Sequence, residues 1–188
     1  MSHPSKKAVA VHEAGHLFVN LALQPSAWVE HVTVSKHPTG PWEGLVQYKH
    51  RFQWALADVE MGGSREAVDA FNARRRESAH QELLISLAGP IAETRWRQRS
   101  RWAAVFACDN SAELCISMGI KASEDYGRAK RYIEWLSNDN HRLAFREAWF
   151  QAEGLLHANW QRIVSFADRL KAEEHIGEEV NSLRAVSV

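Results

Sequence analysis

Residues 8–23 form an almost unbroken apolar stretch that carries two histidines and a glutamate near its middle. His12 and His16 are four residues apart, so on an α-helix their imidazoles lie one turn apart on the same face. Two imidazoles placed in this way can bind one metal ion at about 2.0–2.1 Å. Glu13 is offset from His12 by about 100° around the helix, from where its carboxylate can reach a water on the metal. The segment therefore predicts a helix that carries a zinc hydrolase centre.

A pattern this short also occurs by chance, on a surface helix with two ordinary histidines and an ordinary glutamate. The flanking residues argue against that interpretation, because they are apolar almost all round and such a helix is normally buried. Buried imidazoles and a buried carboxylate need partners, and a metal ion supplies one.

Composition is ordinary for a globular protein, with 188 residues, 45% hydrophobic and 24% charged. Lys plus Arg and Asp plus Glu both number 23, so no net charge draws the chain towards nucleic acid or an acidic membrane. Cys108 and Cys115 fit neither a Cys-x-x-Cys motif nor a disulfide framework, so we expect reduced thiols and a cytoplasmic location. No stretch reaches the roughly 18 apolar residues of a membrane-spanning helix, and we expect a soluble chain.

The residue patterns predict an α+β fold that is mostly α, in a single domain over residues 1–188. The first helix is predicted from about Ser5 to Leu23, followed by a hairpin of strands 29–34 and 44–48. Ser64 is predicted to cap a long helix with a buried face in the 80s, which Gly89-Pro90 should bend or split in two. Further helices are predicted from near 123, from an Asn140 cap to about 157, and over 159–170.

Catalytic zinc usually takes three protein ligands and keeps one position for water, so a third ligand has to be found. The extended motif with Gly at 19 and His at 22 is excluded, because the chain has Val19 and Ala22. Helical carboxylates remain as candidates, with two histidines as weaker ones: Glu82, Glu93, Asp125, His80 and His141.

Three segments together resemble the FtsH-type zinc protease domain in order and spacing: residues 12–16 (HEAGH), 87–93 (LAGPIAE) and 122–129 (ASEDYGRA). The extended region 29–48 and the closing region 170–183 are also similar to that family, so the likeness covers nearly the whole chain. The resemblance implies a helical zincin-like domain with a small β-hairpin beside the HExxH helix. It also implies that Asp125 is the third zinc ligand.

The chain departs from the FtsH pattern in two kinds of feature. Lys121 stands where the family usually has Gly, and Pro90 where it usually has Arg, so the loops around the site are expected to differ. Family members also carry membrane anchors and an ATPase module ahead of the protease domain, for which 188 residues leave no room. We therefore expect either a homo-oligomer or a separate ATPase partner.

The predicted activity is peptide hydrolysis on peptides or unfolded proteins, with Zn²⁺ held by His12, His16 and Asp125 and with Glu13 as general base. An extended peptide could add to the free edge of the small sheet. The alternative is a non-catalytic zinc-binding or partner-binding protein, in which some tryptophans form an interface; a core position is the preferred prediction for Trp96, Trp102, Trp135, Trp149 and Trp160.

Nucleic-acid binding is a third interpretation, because residues 95–102 alternate basic and aromatic side chains and residues 74–76 are three arginines. The neutral overall balance favours a solvated face or a patch for an acidic partner instead. We therefore expect no nucleic-acid partner.

Overall fold

The computed structural model describes residues 5–24, 26–50, 64–97, 123–136 and 141–184. In chain order the elements are helix α1 (Lys6–Leu23), strands β1 (Trp28–Lys36) and β2 (Trp42–His50), and helices α2 (Arg65–Trp96), α3 (Ser123–Leu136), α4 (His141–Ala158) and α5 (Trp160–Glu173), followed by strand β3 (His175–Ile176) and a 3₁₀ helix (Glu178–Leu183). The predicted α+β class, mostly α, is confirmed.

Several predictions concern residues outside these ranges and stay predictions. They are the reduced state of Cys108 and Cys115, the core position of Trp102, the Asn140 cap and the effect of Lys121 on its loop. The prediction of one domain over residues 1–188 also includes such residues. Among the described helices, none combines the length and the apolar character needed to cross a bilayer.

Helix α1 is the central element of the core. Ser5 caps it, its Oγ accepting a hydrogen bond from the backbone N–H of Ala8 at 3.2 Å. Almost every residue from Lys7 to Leu21 is buried, because α2, α5 and β2 cover different sides of the helix. The apolar character all round, rather than on one stripe, is what this position requires.

The predicted hairpin is present and is longer than expected. β1 and β2 are antiparallel, with Val32 opposite Val46 and Val34 opposite Gly44. The two-residue strand β3 pairs with the other side of β1, which gives a sheet in the order β2-β1-β3. β3 was not predicted from the sequence, since two residues are too short for an alternating pattern.

Helix α2 begins after the Ser64 cap, as predicted, and runs without a break through Gly89-Pro90. Of the two predicted effects of this pair, a bend or a split, the split is therefore not found. Proline in a helix interior costs about 3 kcal/mol through a lost hydrogen bond and a clash with the preceding turn. Residues 82–94 are all buried against α1, α3 and α4, and this packing outweighs the local cost.

The tryptophans divide between the core and the surface. Trp149 is fully buried and Trp160 packs against the core, as predicted. Trp96 and Trp135 are 38% and 42% exposed, so the core prediction is wrong for these two. Both lie in the last turn of their helices.

α1 and α2 cross in close contact at Gly15. A Cβ atom at this position would lie 2.7 Å from the backbone oxygen of Ala88 and 2.8 Å from Cβ of Ala92. Both distances are far below van der Waals contact, so the crossing requires glycine here. The crossing in turn sets how closely the histidines of α1 approach α2.

We expect Gly15→Ala to lower the free energy of unfolding by about 1–3 kcal/mol, because the added methyl group forces the two helices apart. Gly154→Ala is the matched control, since its Cβ would meet nothing within 4 Å on the exposed side of α4. There the loss of backbone freedom in the unfolded chain should stabilise the protein by about 0.5–1 kcal/mol. Urea unfolding measures the free energy of unfolding of both variants. The same change in this free energy for Gly15→Ala and Gly154→Ala would contradict the close contact of the helices at Gly15.

Candidate metal centre

The side chains of His12, His16 and Asp125 converge on one point. Nε2 of His12 lies 3.0 Å from Oδ2 of Asp125, Nε2 of His16 lies 3.2 Å from the same oxygen, and the two Nε2 atoms are 3.1 Å apart. α1 supplies the histidines one turn apart, and the first turn of α3 supplies the aspartate. The structure thus brings together the three residues that were predicted as metal ligands.

The other candidates for the third ligand have different partners. Glu93 Oε2 lies 3.1 Å from Nδ1 of His12, on the opposite side of that ring from Asp125. Glu82 accepts a hydrogen bond from Gln24, and Nε2 of His80 contacts Gln151 at 2.8 Å. His141 is exposed at the start of α4.

The outer ring nitrogens fix the orientation of both imidazoles. Nδ1 of His16 lies 2.7 Å from the backbone oxygen of Ile85, which can only accept, so this nitrogen carries the proton. Nδ1 of His12 faces the Glu93 carboxylate, which likewise calls for a donated proton. Both Nε2 atoms of the neutral rings therefore present lone pairs to the point of convergence.

Asp125 presents a third lone pair at the same point. Its other oxygen, Oδ1, accepts a hydrogen bond from Nη2 of Arg128 at 2.7 Å, which keeps the carboxylate ionised. Three acceptors then meet with no hydrogen between them, which is unfavourable unless a cation lies there. Ligand atoms that lie 2.0–2.1 Å from a tetrahedral zinc ion are about 3.3–3.4 Å from one another. The three ligand atoms here are 3.0–3.2 Å apart, which is close to that spacing.

The ionisation of the cluster agrees with this need for positive charge. Burial lowers the pKa of His12, but hydrogen bonds to Asp125 and Glu93 outweigh it and raise the pKa well above its ordinary value. Burial raises the pKa of Asp125, yet the neighbouring His16 and His12 bring it well below the usual range. Without metal, His12 therefore holds a proton to a higher pH than an isolated histidine, and a metal ion that binds must displace it.

Glu13 lies beside the three ligands, buried and lining the same cavity. Burial is the main cause of a raised pKa for its carboxyl group, opposed by the charges of His12 and His16. Gly44 on β2 lies directly against the Glu13 side chain, and a Cβ atom there would overlap it. The edge of the sheet and the glutamate are therefore in contact.

Gly89 is a site residue whose role was not predicted from the sequence. A Cβ atom at this position would overlap Nε2 of His16 and would lie 2.6 Å from Nε2 of His12. The glycine therefore leaves the space into which the two imidazoles project. The only sequence signal was its place in the segment 87–93, since a single glycine within a helical pattern is also found where helices merely pack closely or end.

The three metal-ligand candidates and Glu13 line a cavity of about 430 Å³, to which α1, α2, α3 and β2 all contribute. β2 contributes residues 43–46 and Tyr48, and the start of α3 contributes Glu124, Asp125 and Arg128. The ligand cluster therefore borders a cavity that extends to strand β2.

The sequence matches no protein-family model and none of the curated proteins with which it was compared.

We expect Glu93→Gln to raise the dissociation constant for Zn²⁺ about ten- to a hundredfold, since the hydrogen bond that orients His12 loses its negative charge. Glu82→Gln is the matched control: it changes a buried acid three turns earlier on α2 whose described partner is Gln24. Competition titration with a chelator measures both constants. A control that loses zinc as strongly as Glu93→Gln would contradict a specific role for Glu93.

Proposed function

We propose that the chain is a zinc-dependent metallopeptidase in which His12, His16 and Asp125 hold the metal and Glu13 is the general base. One observation carries the proposal: three acceptor atoms of these residues meet within 3.0–3.2 Å of one another, with both outer ring nitrogens already used as donors. The resemblance to the FtsH-type protease domain supports the same ligand set. Two imidazoles and one carboxylate that line an open cavity form a donor set typical of catalytic zinc.

A zinc ion held there would bring the pKa of a water molecule towards about 7 and polarise a carbonyl group. Glu13 would take a proton from that water during attack on the peptide carbonyl carbon, and would deliver it to the departing amine nitrogen as the C–N bond breaks. Burial raises the pKa of the Glu13 carboxyl group in the metal-free protein, and the charge of a zinc ion beside it would oppose that rise and favour the ionised form that acts as base.

Strand β2 supplies a surface for the substrate backbone. The backbone N–H of Val34 donates to the oxygen of Glu174 at 2.9 Å, and Val32 also pairs with β3, so both direct their backbone groups away from β2. In such pairs the partners on β2, Val46 and Gly44, direct theirs to the opposite side. Within the described residues that side of β2 is an edge, and it borders the cavity.

An extended peptide that pairs with this edge would pass Glu13 and the metal ligands. Main-chain pairing gives affinity with little demand on side chains, which suits peptides and unfolded proteins as substrates. A separate ATPase that unfolds substrates, and a cytoplasmic location, remain part of the proposal.

Glu13→Gln should bind one zinc ion per chain as the wild type does, but its peptide turnover should fall by about 10²–10⁴-fold, since the amide accepts no proton. Glu30→Gln, an exposed change on β1, is the control and should keep full activity. The measurements are elemental analysis and cleavage of an unfolded protein. If Glu13→Gln and Glu30→Gln cleave the protein at the same rate, the non-catalytic alternative is favoured. In that alternative the exposed rings of Trp96 and Trp135 would form part of an interface with a partner.

Val46→Pro removes one backbone donor from the free edge of β2, a position where an edge strand tolerates proline. We expect KM for an extended peptide to rise about three- to tenfold, as the loss of one hydrogen bond predicts, with kcat changed less. Val46→Thr keeps the N–H and the branched shape and should retain the wild-type KM. An unchanged KM in the folded, zinc-loaded proline variant would exclude pairing at this position.

A further inference from the structure

We propose that Arg128 is a catalytic residue of this site, whose guanidinium donates hydrogen bonds to the scissile carbonyl oxygen as negative charge develops on it. The inference rests on the proposed peptidase function. It concerns a side chain that belongs neither to the HExxH pattern nor to the candidates for the third ligand.

Arg128 lies three residues after Asp125, on the same face of α3. Its Nη2 donates to Oδ1 of Asp125 at 2.7 Å, while Oδ2 of the same carboxylate faces the two imidazoles. The contact therefore uses the aspartate oxygen that does not face the metal position. It also anchors the guanidinium beside the ligand cluster.

The guanidinium also faces the cavity. Arg128 lines it, and its side chain remains 47% exposed, so a substrate in the cavity can reach it. A guanidinium carries five N–H donors, of which the described hydrogen bond to Asp125 uses one. Its charge is also one of those that oppose the rise in the pKa of Glu13, which agrees with a position near the general base.

Arg128 is the one arginine or lysine among the described residues that line the cavity. The other charged lining residues are carboxylates: Glu13, Glu43, Glu82, Glu93, Glu124 and Asp125. A negatively charged oxygen formed in such surroundings would be repelled by most of its neighbours. A fixed cationic donor at this wall offsets that repulsion, and a positively charged planar fork suits an oxygen with two lone pairs.

The reaction assigns a definite moment to this interaction. As the water oxygen bonds to the carbonyl carbon, the π electrons of the C=O bond move to the oxygen, and Glu13 takes the water proton. As that oxygen re-forms the C=O bond, the C–N bond breaks and the nitrogen receives the proton from Glu13. The hydrogen bonds from Arg128 to this oxygen are strongest between the two steps, when the oxygen carries its full negative charge.

The test uses Arg128→Gln and Arg128→Lys, with Arg131→Gln as the matched control because Arg131 is exposed on the same helix and does not line the cavity. Each variant is loaded with zinc and its metal content is measured. Four further quantities are measured: kcat and KM on a peptide, the Kd of a phosphinic peptide, and the Kd of the uncleaved peptide in the Glu13→Gln background. The phosphinic group imitates the tetrahedral, negatively charged carbon centre.

For Arg128→Gln we expect kcat to fall about 10²–10³-fold and the phosphinic peptide to bind more weakly by a comparable factor. The Kd of the uncleaved peptide should not change, and the variant should still bind one zinc ion per chain. For Arg128→Lys, kcat and the Kd of the phosphinic peptide should lie between the values of the wild type and of Arg128→Gln. Arg131→Gln should match the wild type in every quantity.

Four results would overturn the inference. If both Arg128 variants lose zinc, the arginine only holds Asp125 in place. If the Kd values of the phosphinic and the uncleaved peptide rise by the same factor, the arginine binds the substrate and not the transition state. An unchanged kcat with zinc bound would remove it from the reaction. If the zinc-loaded wild type cleaves no peptide, the proposed function fails, and the Arg128 inference fails separately when Arg128→Gln does not weaken phosphinic-peptide binding.

Discussion

The meeting of three lone pairs from His12, His16 and Asp125 is the constraint on which the rest of the site depends. The Nδ1–H groups of the two rings donate to the backbone oxygen of Ile85 and to the carboxylate of Glu93. In the neutral rings the Nε2 atoms therefore carry no proton. Neutral imidazoles alone would leave this buried arrangement unfavourable, and a cation removes the conflict. A proton on His12 does so in the absence of metal, and a divalent ion could do so with all three ligands at once.

Close packing of α1 against α2 makes this arrangement possible. Gly15 lets the helices cross almost in backbone contact, and Gly89 leaves room for the imidazoles on the facing side. The same crossing brings Glu93 and the backbone oxygen of Ile85 within hydrogen-bond distance of the outer ring nitrogens. One pair of packed helices thus positions both the ligands and the groups that orient them.

Local patterns were enough to predict α1 from about Ser5 to Leu23, the hairpin and the start of α2 at Ser64, because each depends on residues close together in sequence. The split of α2, one of the two effects predicted for Gly89-Pro90, is not found because packing around α2 outweighs the local preference of proline. Strand β3 and the contact of Glu93 with His12 could not be predicted from spacing, since each joins segments far apart in the chain. Asp125 needed the resemblance to a family for the same reason.

Charge balance links the arginines to the metal position. Glu93 contacts His12 through one oxygen and pairs with Arg97 through the other, just as Asp125 faces the imidazoles with one oxygen and Arg128 with the other. Each arginine offsets a buried carboxylate, and in the metal-free protein the proton on His12 balances the charge of Glu13. A divalent ion that displaces this proton would change the net charge of the inner group from 0 to +1, which favours an anionic oxygen beside it. The paired arginines therefore reduce the negative charge of a site rich in carboxylates, as the proposed stabilisation of an anionic oxygen requires.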